Sequence, residues 1–230
     1  MNISVVIPSY NEKENIEKII KIILNQFKIH KVKGEIIVVD DDSPDGTANI
    51  VRKMKYKNVR LIVRKKERGK GSAVIRGARA AKYDIVAMID SDLQYPPKDI
   101  YKLAKSLEKN NADIVIGKRI YKSLSLKRKI ASSGFKMMQR SILGLKISDT
   151  QSGLKVFRKK VFNIKIKEGG FTFDLELLLK ANKKNFKIIE VPINFYERKQ
   201  GQTKINTFYH GLEFFWKSIY LKMKYLFYSD

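Results

Sequence analysis

Residues 85–97 read IVAMIDSDLQYPP, an apolar run followed by an acidic loop. Its apolar run, Ile85–Ile89, has the length of a buried strand and is too short for a helix. Asp90, Asp92 and Gln94 follow, and Tyr95-Pro96-Pro97 then ends the loop. A fully apolar strand is typical of a parallel sheet covered on both faces, and such sheets bind ligands beyond the carboxyl ends of their strands.

The same alternation of short apolar runs and helical patterns fills the first 120 residues. Strands alternating with helices of this length predict right-handed crossovers and an α/β fold with a mostly parallel central sheet. The predicted strands are Ile3–Ile7, Glu35–Val39, Val59–Val63, Ile85–Ile89 and Ile114–Ile116. The predicted helices are Glu12–Phe27, Thr47–Met54, Ser72–Ala81 and Lys98–Lys109.

Polar residues follow the first two strands as they follow the fourth. The first strand runs into Pro8, Tyr10 and Glu12, and the second runs into the acidic stretch Asp40–Asp45. Carboxyl ends of parallel strands meet at one edge of a sheet, so these loops are predicted to line one crevice for a nucleotide-like ligand. Asp40 is expected to accept hydrogen bonds from a base or ribose, while the later residues suit a helix start.

Asp90 and Asp92 are the sharpest signal for a metal. In extended backbone, residues at i and i+2 point to the same side. Two close carboxylates repel each other unless one is protonated or a cation lies between them. Their oxygens favour Mg²⁺ or Mn²⁺, and Gln94 could orient a metal-bound group. The alternative that the residues leave open is that both acids only begin the next helix.

The stretch Arg68-Gly69-Lys70-Gly71-Ser72 is similar to loops that grip a phosphate ahead of a helix. It lacks the full spacing of a P-loop, so that mechanism is rejected. Two interpretations remain: a substrate contact, or a glycine turn in which Ser72 caps the helix.

Histidine chemistry is disfavoured by the sequence. His30 and His210 are the only histidines of the chain, and neither belongs to a motif. A serine–histidine–aspartate mechanism is therefore not expected. The reaction needs a carboxylate base or no base.

The composition narrows the class of protein. The 230 residues suffice for one domain with a sizeable core, with or without an appendage. Because cysteine is absent, disulfides, zinc–thiolate sites, iron–sulfur clusters and cysteine nucleophiles are excluded. A net charge of +25 favours an anionic partner, which could be nucleic acid, a membrane surface or a phosphorylated substrate. A solvated basic surface is the alternative.

Acidic residues are missing from one part of the chain, between Ile114 and Ser148. Apolar residues interleave with basic ones there, as in an amphipathic helix that lies under lipid headgroups. A core-packed helix with a solvated basic face is the alternative. The basic residues are Lys118, Arg119, Lys122, Lys127, Arg128, Lys129, Lys136, Arg140 and Lys146.

The C-terminal segment has a second amphipathic pattern, which divides the chain into a domain of residues 1–205 and a helix within 206–230. Its aromatic and Lys residues suit a membrane interface, and docking on the core or on a second subunit is the alternative. The N-terminus lacks the features of a signal peptide. No apolar run reaches the length of about 18 residues that would predict a membrane span. The apolar positions are Phe208, Leu212, Phe215, Ile219, Met223 and Leu226.

Several strings, taken in order, resemble the family 2 glycosyltransferases with the GT-A fold. Within that family they are similar to the polyprenyl-phosphate sugar synthases, the group of the dolichol-phosphate mannose synthases. The resemblance implies a Rossmann-like central sheet with helices on both faces and amphipathic interfacial helices. The strings are VVIPSYNEKENI (5–16), EIIVVDDDSPDGT (35–47), MIDSDLQYPPKDI (88–100), IVIGKRI (114–120), DTQSGLKVF (149–157), IIEVPINF (188–195) and ERKQGQTKI (197–205).

The resemblance implies a role for each matching position. The positions that match nucleotide contacts are Pro8, Tyr10, Glu12 and Asp40, and those that match ligands of Mg²⁺ or Mn²⁺ on the donor diphosphate are Asp90, Asp92 and Gln94. The positions that match contacts to the acceptor phosphate are Arg119, Arg128 and Ser132. Asp149 matches a contact to the sugar, and Arg198 and Lys204 match contacts to the leaving diphosphate. One departure is Lys199-Gln200, which stands where close relatives carry a second arginine. The implied catalytic set is Asp90, Asp92, Arg119, Arg128 and Asp149.

The implied reaction is an inverting transfer of a sugar from a nucleotide-diphospho-sugar to a polyprenyl or dolichyl phosphate. The resemblance favours mannose from GDP-mannose, for glycan or glycoprotein synthesis at the cytoplasmic face of the cell membrane. A phosphate monoester is largely anionic at neutral pH, so no strong base is needed. UDP-glucose, a UDP-N-acetylhexosamine and a non-lipid acceptor stay open, as do a membrane-protein partner and a homo-oligomer.

Nucleic-acid binding is the alternative from another class. It is disfavoured because aspartates fill the two central loops, where a phosphate backbone would have to approach. These aspartates are Asp40, Asp41, Asp42, Asp45, Asp90 and Asp92.

Overall fold

The computed structural model describes residues 1–121, 147–170, 172–196 and 216–225. The strands are β1 (Asn2–Ser9), β2 (Lys33–Asp40), β3 (Val59–Val63), β4 (Ile85–Ile89), β5 (Ile114–Tyr121), β6 (Leu154–Arg158) and β7 (Ile188–Phe195). The helices are α1 (Ile16–Ile29), α2 (Thr47–Lys53), α3 (Lys70–Ala80), α4 (Asp99–Lys109) and α5 (Phe173–Lys183), with a 3₁₀ turn at Lys159–Asn163. A further helix covers residues 216–225.

The strands form one seven-stranded sheet in the order β3-β2-β1-β4-β6-β5-β7. Neighbouring strands are parallel except where β6 lies between β4 and β5 and runs antiparallel to both. The predicted α/β fold with a mostly parallel sheet is therefore confirmed. The chain leaves β1 for β2 on one side and places β4 on the other, so a switch point lies between the carboxyl ends of β1 and β4.

Each face of the sheet carries its own apolar core. Alternation along β1 sends Val5 to the core under α1 and α4, and Val6 to the core under α3 and α5. Burial on both faces explains why the central strands are apolar at almost every position. The predicted helices on both faces of the sheet are confirmed.

Two predicted helix starts are wrong by a few residues. The first helix begins at Ile16 rather than at Glu12. The main-chain N–H of Glu12 donates to Thr47 Oγ1 (2.9 Å), which holds Glu12 in the loop that precedes the helix. The third helix begins at Lys70 rather than at Ser72, with Gly69 as its first flanking residue.

One side of the 216–225 helix packs against the rest of the described fold. Leu221 is fully buried, and Tyr225 donates a hydrogen bond from its hydroxyl to Glu176 of α5 (2.6 Å). Within the described residues, no helix has both the length and the apolar character that crossing a bilayer requires. Of the acid-free stretch between Ile114 and Ser148, residues 114–121 form β5, and residues 122–146, where an amphipathic helix was predicted, lie outside the described residues.

Candidate active site

A cavity of about 630 Å³ lies at the switch point of the sheet, beyond the carboxyl ends of β1 and β4. Its position agrees with the predicted crevice, because loops from β1, β2 and β4 all reach it. The predicted site residues that line it are Pro8, Tyr10, Glu12, Asp90, Asp92, Gln94 and Arg119. The other lining residues are Ser9, Asp41, Arg68, Gly69, Lys70, Ala73, Ser91, Tyr95, Gln151, Asp174 and Phe195.

The loop after β1 is fixed in place by the loop after β2. The main-chain N–H of Asn11 donates to Ser43 Oγ (2.9 Å), one residue before the bond from Glu12 to Thr47. Asn11 has a positive φ of 53°, which turns the chain sharply after Tyr10. These contacts hold Tyr10 and Glu12 against the cavity.

Asp40 is bonded within its own loop. Its side chain is fully buried and accepts hydrogen bonds from the main-chain N–H (2.9 Å) and hydroxyl (2.6 Å) of Ser43. Asp40 thereby braces Ser43, which in turn holds the loop after β1. Its contact with a base or ribose stays a prediction.

Asp41 is the acid of this loop that reaches the cavity, and it anchors the glycine loop. Its carboxylate pairs with the buried guanidinium of Arg64 and accepts the main-chain N–H of Gly69 (2.9 Å). Arg64 also donates to Ser72 Oγ (2.7 Å), so Ser72 is a brace rather than the predicted cap. Gly69 has a φ of +127°, and a Cβ there would lie 2.5 Å from Gly169 O, so glycine is required.

The loop after β4 carries the predicted metal ligands. Asp92 Oδ1 accepts the main-chain N–H of Gln94 (3.1 Å), which closes a tight turn. Gln94 and Tyr196 form two hydrogen bonds. The side-chain amide of Gln94 donates to the main-chain carbonyl of Tyr196 (3.2 Å), and the main-chain N–H of Tyr196 donates to the main-chain carbonyl of Gln94 (3.0 Å). These bonds join the end of β7 to the loop that carries the acids.

The carboxylate of Asp90 packs against Gly153, at a position where a larger residue would overlap it. The main-chain N–H of Asp90 donates to Gly153 O (3.2 Å), and a Cβ on Gly153 would overlap Asp90 Oδ2. The ammonium of Lys70 lies 2.6 Å from Asp90 Oδ1, so a cation already stands beside this carboxylate. Burial opposes the charge of Lys70, but Asp90 and Asp174 hold its pKa above the ordinary lysine value.

A hard divalent cation fits this donor set. Asp90 and Asp92 offer carboxylate oxygens to an open cavity, and within the described residues no third acid or histidine completes a protein cage. Mg²⁺ and Mn²⁺ are bound in this manner when one or two carboxylates are supplemented by water and by substrate phosphates. The residues present therefore suit a cation that arrives with a phosphorylated ligand.

Arg119 of β5 lines the same cavity, and Asp149 holds its side chain in place. Asp149 is buried and accepts from Arg119 at its main-chain N–H (2.9 Å), Nε (2.9 Å) and Nη2 (2.6 Å). The main-chain N–H of Asp149 donates in turn to Glu190 of β7 (2.8 Å). Asp149 therefore supports Arg119 from within the fold, and its expected place at the sugar stays a prediction.

Tyr95 forms part of the cavity wall and was missed by sequence reasoning. Its hydroxyl oxygen accepts the main-chain N–H of Gly153 (2.7 Å), and its ring meets Phe195 edge-on with centroids 5.0 Å apart. Burial and the nearby carboxylate of Asp90 raise the pKa of Tyr95 to about 12. Tyr95 therefore stays neutral and connects the two loops that flank Asp90.

A buried ion pair beside the cavity was also missed. Lys155 of β6 and Asp174 of α5 are both buried, and their charged atoms lie 2.6 Å apart. Burial raises the pKa of Asp174 and lowers that of Lys155, and their mutual attraction opposes both shifts. The signal was present, because a charged residue inside the apolar string LKVF indicates a buried partner.

Comparison with known proteins identifies the family. The model for "Glycosyl transferase family 2" matches residues 4–164. The chain belongs to glycosyltransferase family 2. It is 38% identical over 217 residues to a dolichol-phosphate mannosyltransferase of Pyrococcus furiosus, across 89% of this chain and 59% of that protein. It is 33% identical over 217 residues to one of Mycosarcoma maydis, across 88% of this chain and 73% of that protein.

Solved structures give the same fold for this family 2 chain. Mannosyl-3-phosphoglycerate synthase from Rubrobacter xylanophilus superposes with a TM-score of 0.76 at 18% identity, over 98% of this chain and 75% of that one. Glucosyl-3-phosphoglycerate synthase from Mycobacterium tuberculosis, solved with Mn²⁺, UDP and glucosyl-3-phosphoglycerate, gives 0.70 at 20% identity, over 97% and 79%. At these identities the likeness shows the fold alone. The expected GT-A fold is confirmed.

Four predicted site residues of this family 2 chain lie outside the described residues. They are Arg128, Ser132, Arg198 and Lys204. Tyr196 is the last described residue of its segment and stands two positions before Arg198 in the chain. Its bonds to Gln94 bring the chain to the mouth of the cavity.

Proposed function

We propose that this protein transfers mannose from GDP-mannose to a polyprenyl or dolichyl phosphate, with inversion at the anomeric carbon. One observation carries the proposal. In a chain 38% identical to a dolichol-phosphate mannosyltransferase, one cavity joins a carboxylate loop to an arginine. The carboxylate loop suits a metal-bound diphosphate, and the arginine suits a second phosphate. The chain spans 59% of that relative's length, so its activity is proposed for this chain and not transferred.

The donor is proposed to lie along the loop after β1. Pro8, Tyr10 and Glu12 line the cavity there, and Arg68 lies over the ring of Tyr10 at 5.1 Å from its centroid. An aromatic face beside a guanidinium is a suitable surface for stacking a nucleobase. Asp40 is proposed to contact the base or ribose at this surface, and it also braces the loop through Ser43.

The donor diphosphate is proposed to reach the loop after β4. Asp90, Asp92 and Gln94 would hold Mg²⁺ or Mn²⁺ there, in a fold whose mycobacterial neighbour was solved with Mn²⁺ and UDP. When bound, the cation supplies Lewis-acid stabilisation of the charge that builds on the leaving diphosphate. Arg198 and Lys204 are proposed to contact the same group, supported by the bonds between Tyr196 and Gln94 just before that segment.

The acceptor phosphate is proposed to bind at Arg119, with Arg128 and Ser132 from the acid-free stretch. A guanidinium fixed by a carboxylate presents its donors in one orientation, which suits a phosphate better than a mobile side chain does. The acceptor oxygen is anionic at neutral pH, so it can attack the anomeric carbon without a general base. The described lining of the cavity contains no histidine, in agreement with this chemistry.

Action at a membrane surface is part of the proposal. Trp216, Tyr220 and Met223 recur along one side of the 216–225 helix and are 65%, 53% and 56% exposed. Aromatic residues flanked by Lys217 and Lys224 suit a headgroup interface. We propose that residues 1–205 form the catalytic domain and that 206–230 attach it peripherally, at the cytoplasmic face, to an anionic membrane.

The test is a transfer assay with a panel of donors and acceptors. The purified chain is incubated with Mg²⁺, a phosphorylated polyprenol in detergent and GDP-mannose, UDP-glucose or a UDP-N-acetylhexosamine carrying a labelled sugar. We expect the label of GDP-mannose to enter the organic phase. A parallel reaction with 3-phosphoglycerate tests a soluble acceptor. Label that enters only the soluble product would overturn the lipid assignment, and label from a UDP-sugar alone would overturn the mannose assignment.

A further inference from the structure

Lys70 occupies an unusual place in the cavity. It is the first residue of α3, and its ammonium forms a 2.6 Å ion pair with Asp90, one of the proposed metal ligands. Both side chains are mostly buried, so water screens the pair less than it screens pairs at the surface. From its sequence alone, this loop fits either a substrate contact or a simple turn.

The carboxylate of Asp90 leaves little room for a second cation. Its Oδ2 oxygen lies against Gly153, and its Oδ1 oxygen bonds the Lys70 ammonium. A metal that approaches from the cavity must therefore share Asp90 with a positive charge or displace it. Two cations bound to one carboxylate repel each other strongly in a partly buried site.

The main chain at Lys70 is fixed, whereas the side chain can swing. Gly69 donates its main-chain N–H to Asp41 (2.9 Å), and Arg64 bonds Gly69 O (3.0 Å). The four-carbon stem of lysine rotates freely enough to move its ammonium to another anion in the same cavity. Asp174 also lines the cavity, but its carboxylate already pairs with Lys155. A diphosphate would bring the additional negative charge that the ammonium needs.

We propose that Lys70 is the resident counter-ion of Asp90, and that it makes metal entry depend on the donor. It holds Asp90 while the site lacks metal, and it moves to the diphosphate when nucleotide and metal arrive together. The inference rests on the proposed metal site and adds an order to its loading. Lys70 is here a positioning residue that acts on the metal through Asp90.

The test measures Mn²⁺ binding rather than turnover. Free Mn²⁺ is followed by electron paramagnetic resonance during titration of the full chain, first alone and then with saturating GDP. The variants are Lys70→Met, Lys70→Arg and Lys66→Met. Lys66 is an exposed lysine of the same loop, so its variant matches the charge change of Lys70→Met. Circular dichroism checks that each variant is folded.

Without nucleotide, Lys70→Met should bind Mn²⁺ about tenfold more tightly than the wild type, a coupling of ordinary size between two sites. Lys70→Arg and Lys66→Met should bind as the wild type does. The factor by which GDP tightens Mn²⁺ binding should shrink in Lys70→Met, because no competing cation is left to remove.

Equal or weaker Mn²⁺ binding by Lys70→Met, in a wild-type protein that binds Mn²⁺ with GDP, overturns the counter-ion role and leaves the metal site standing. Failure of every form to bind Mn²⁺, with or without GDP, overturns the metal site and the counter-ion role together. Tightening by Lys66→Met as large as that by Lys70→Met also overturns the inference, because it would show a general effect of charge.

Discussion

Replacing Asp149 with asparagine tests whether this buried acid holds Arg119 in place. Asp149 accepts hydrogen bonds from three N–H groups of Arg119, whose side chain is 19% exposed. Breaking a buried ion pair costs about 3–5 kcal/mol, and the partial exposure of Arg119 favours the lower end, about 3 kcal/mol. An asparagine amide would also turn its own donors toward the donors of Arg119.

Urea denaturation followed by circular dichroism measures the loss. With a slope of about 3 kcal/mol per M, a loss of about 3 kcal/mol lowers the unfolding midpoint by about 1 M. Asp84→Asn is the matched control, because Asp84 pairs with Arg158 at 3.1 Å while 63% exposed. An exposed pair contributes about 0–1 kcal/mol, so that midpoint should fall by no more than about 0.3 M.

The same variant should slow the proposed transfer. Displacing a positioned guanidinium by about 1 Å can reduce a rate on the order of 100-fold. We expect kcat/KM for the lipid phosphate to fall by about that factor in Asp149→Asn, with the KM of the donor little changed. A midpoint shift no larger than that of Asp84→Asn, together with normal kinetics, would refute the positioning role.

Three further predictions concern other parts of the fold. Gly153→Ala would press a methyl group against Asp90, so we expect at least a tenfold slower transfer and about 1–3 kcal/mol less stability in urea; wild-type values would contradict this. Burial raises the pKa of Glu176, but hydrogen bonds from the Tyr225 hydroxyl, the main chain of Glu168 and Lys180 outweigh it and lower that pKa. The contribution of Glu176 to stability is therefore complete above the ordinary glutamate pKa of about 4.3 and is lost as pH falls through the lowered value. Glu176→Gln should flatten urea stability against pH in that window, and an unchanged profile would count against the docking contact. Serine at three exposed positions of the 216–225 helix should reduce flotation with anionic liposomes, whereas Tyr56→Ser, exposed elsewhere, should not; equal flotation would remove this face as the anchor. The three positions are Trp216, Tyr220 and Met223.

Periodicity and strand-end chemistry were enough to predict the sheet and the place of the site. The bounds of β3 and β4 were predicted to the residue, because their apolar runs end at charged or turn-forming neighbours. The expected order of loops brought Tyr10, Glu12 and Asp90 to one cavity. Local sequence patterns suffice here because a parallel strand covered on both faces is apolar along its length, so its polar functional residues stand at its ends.

The parts that sequence could not predict depend on contacts between distant segments. Asp40 and Asp41 are adjacent acids, but Asp40 bonds Ser43 three residues along the chain, whereas Asp41 lines the cavity and bonds Arg64 and Gly69, more than 20 residues away. Asp149 likewise bonds Arg119 of β5, which lies 30 residues earlier in the chain. Partners separated by tens of residues leave no periodic signal in the chain.

The central claim is that the loop after β4 holds the metal-bound donor for transfer to a lipid phosphate. Transfer of labelled mannose from GDP-mannose to polyprenyl phosphate, measured for Asp92→Asn and Asp42→Asn, tests it most directly. Asp42 is an exposed acid of the neighbouring loop, so its variant matches the chemical change. We predict that Asp92→Asn stays folded and loses at least 100-fold of the Mg²⁺-dependent transfer, a cost in the range seen when transition-state stabilisation is removed, while Asp42→Asn keeps wild-type activity. Full transfer by Asp92→Asn would contradict the account.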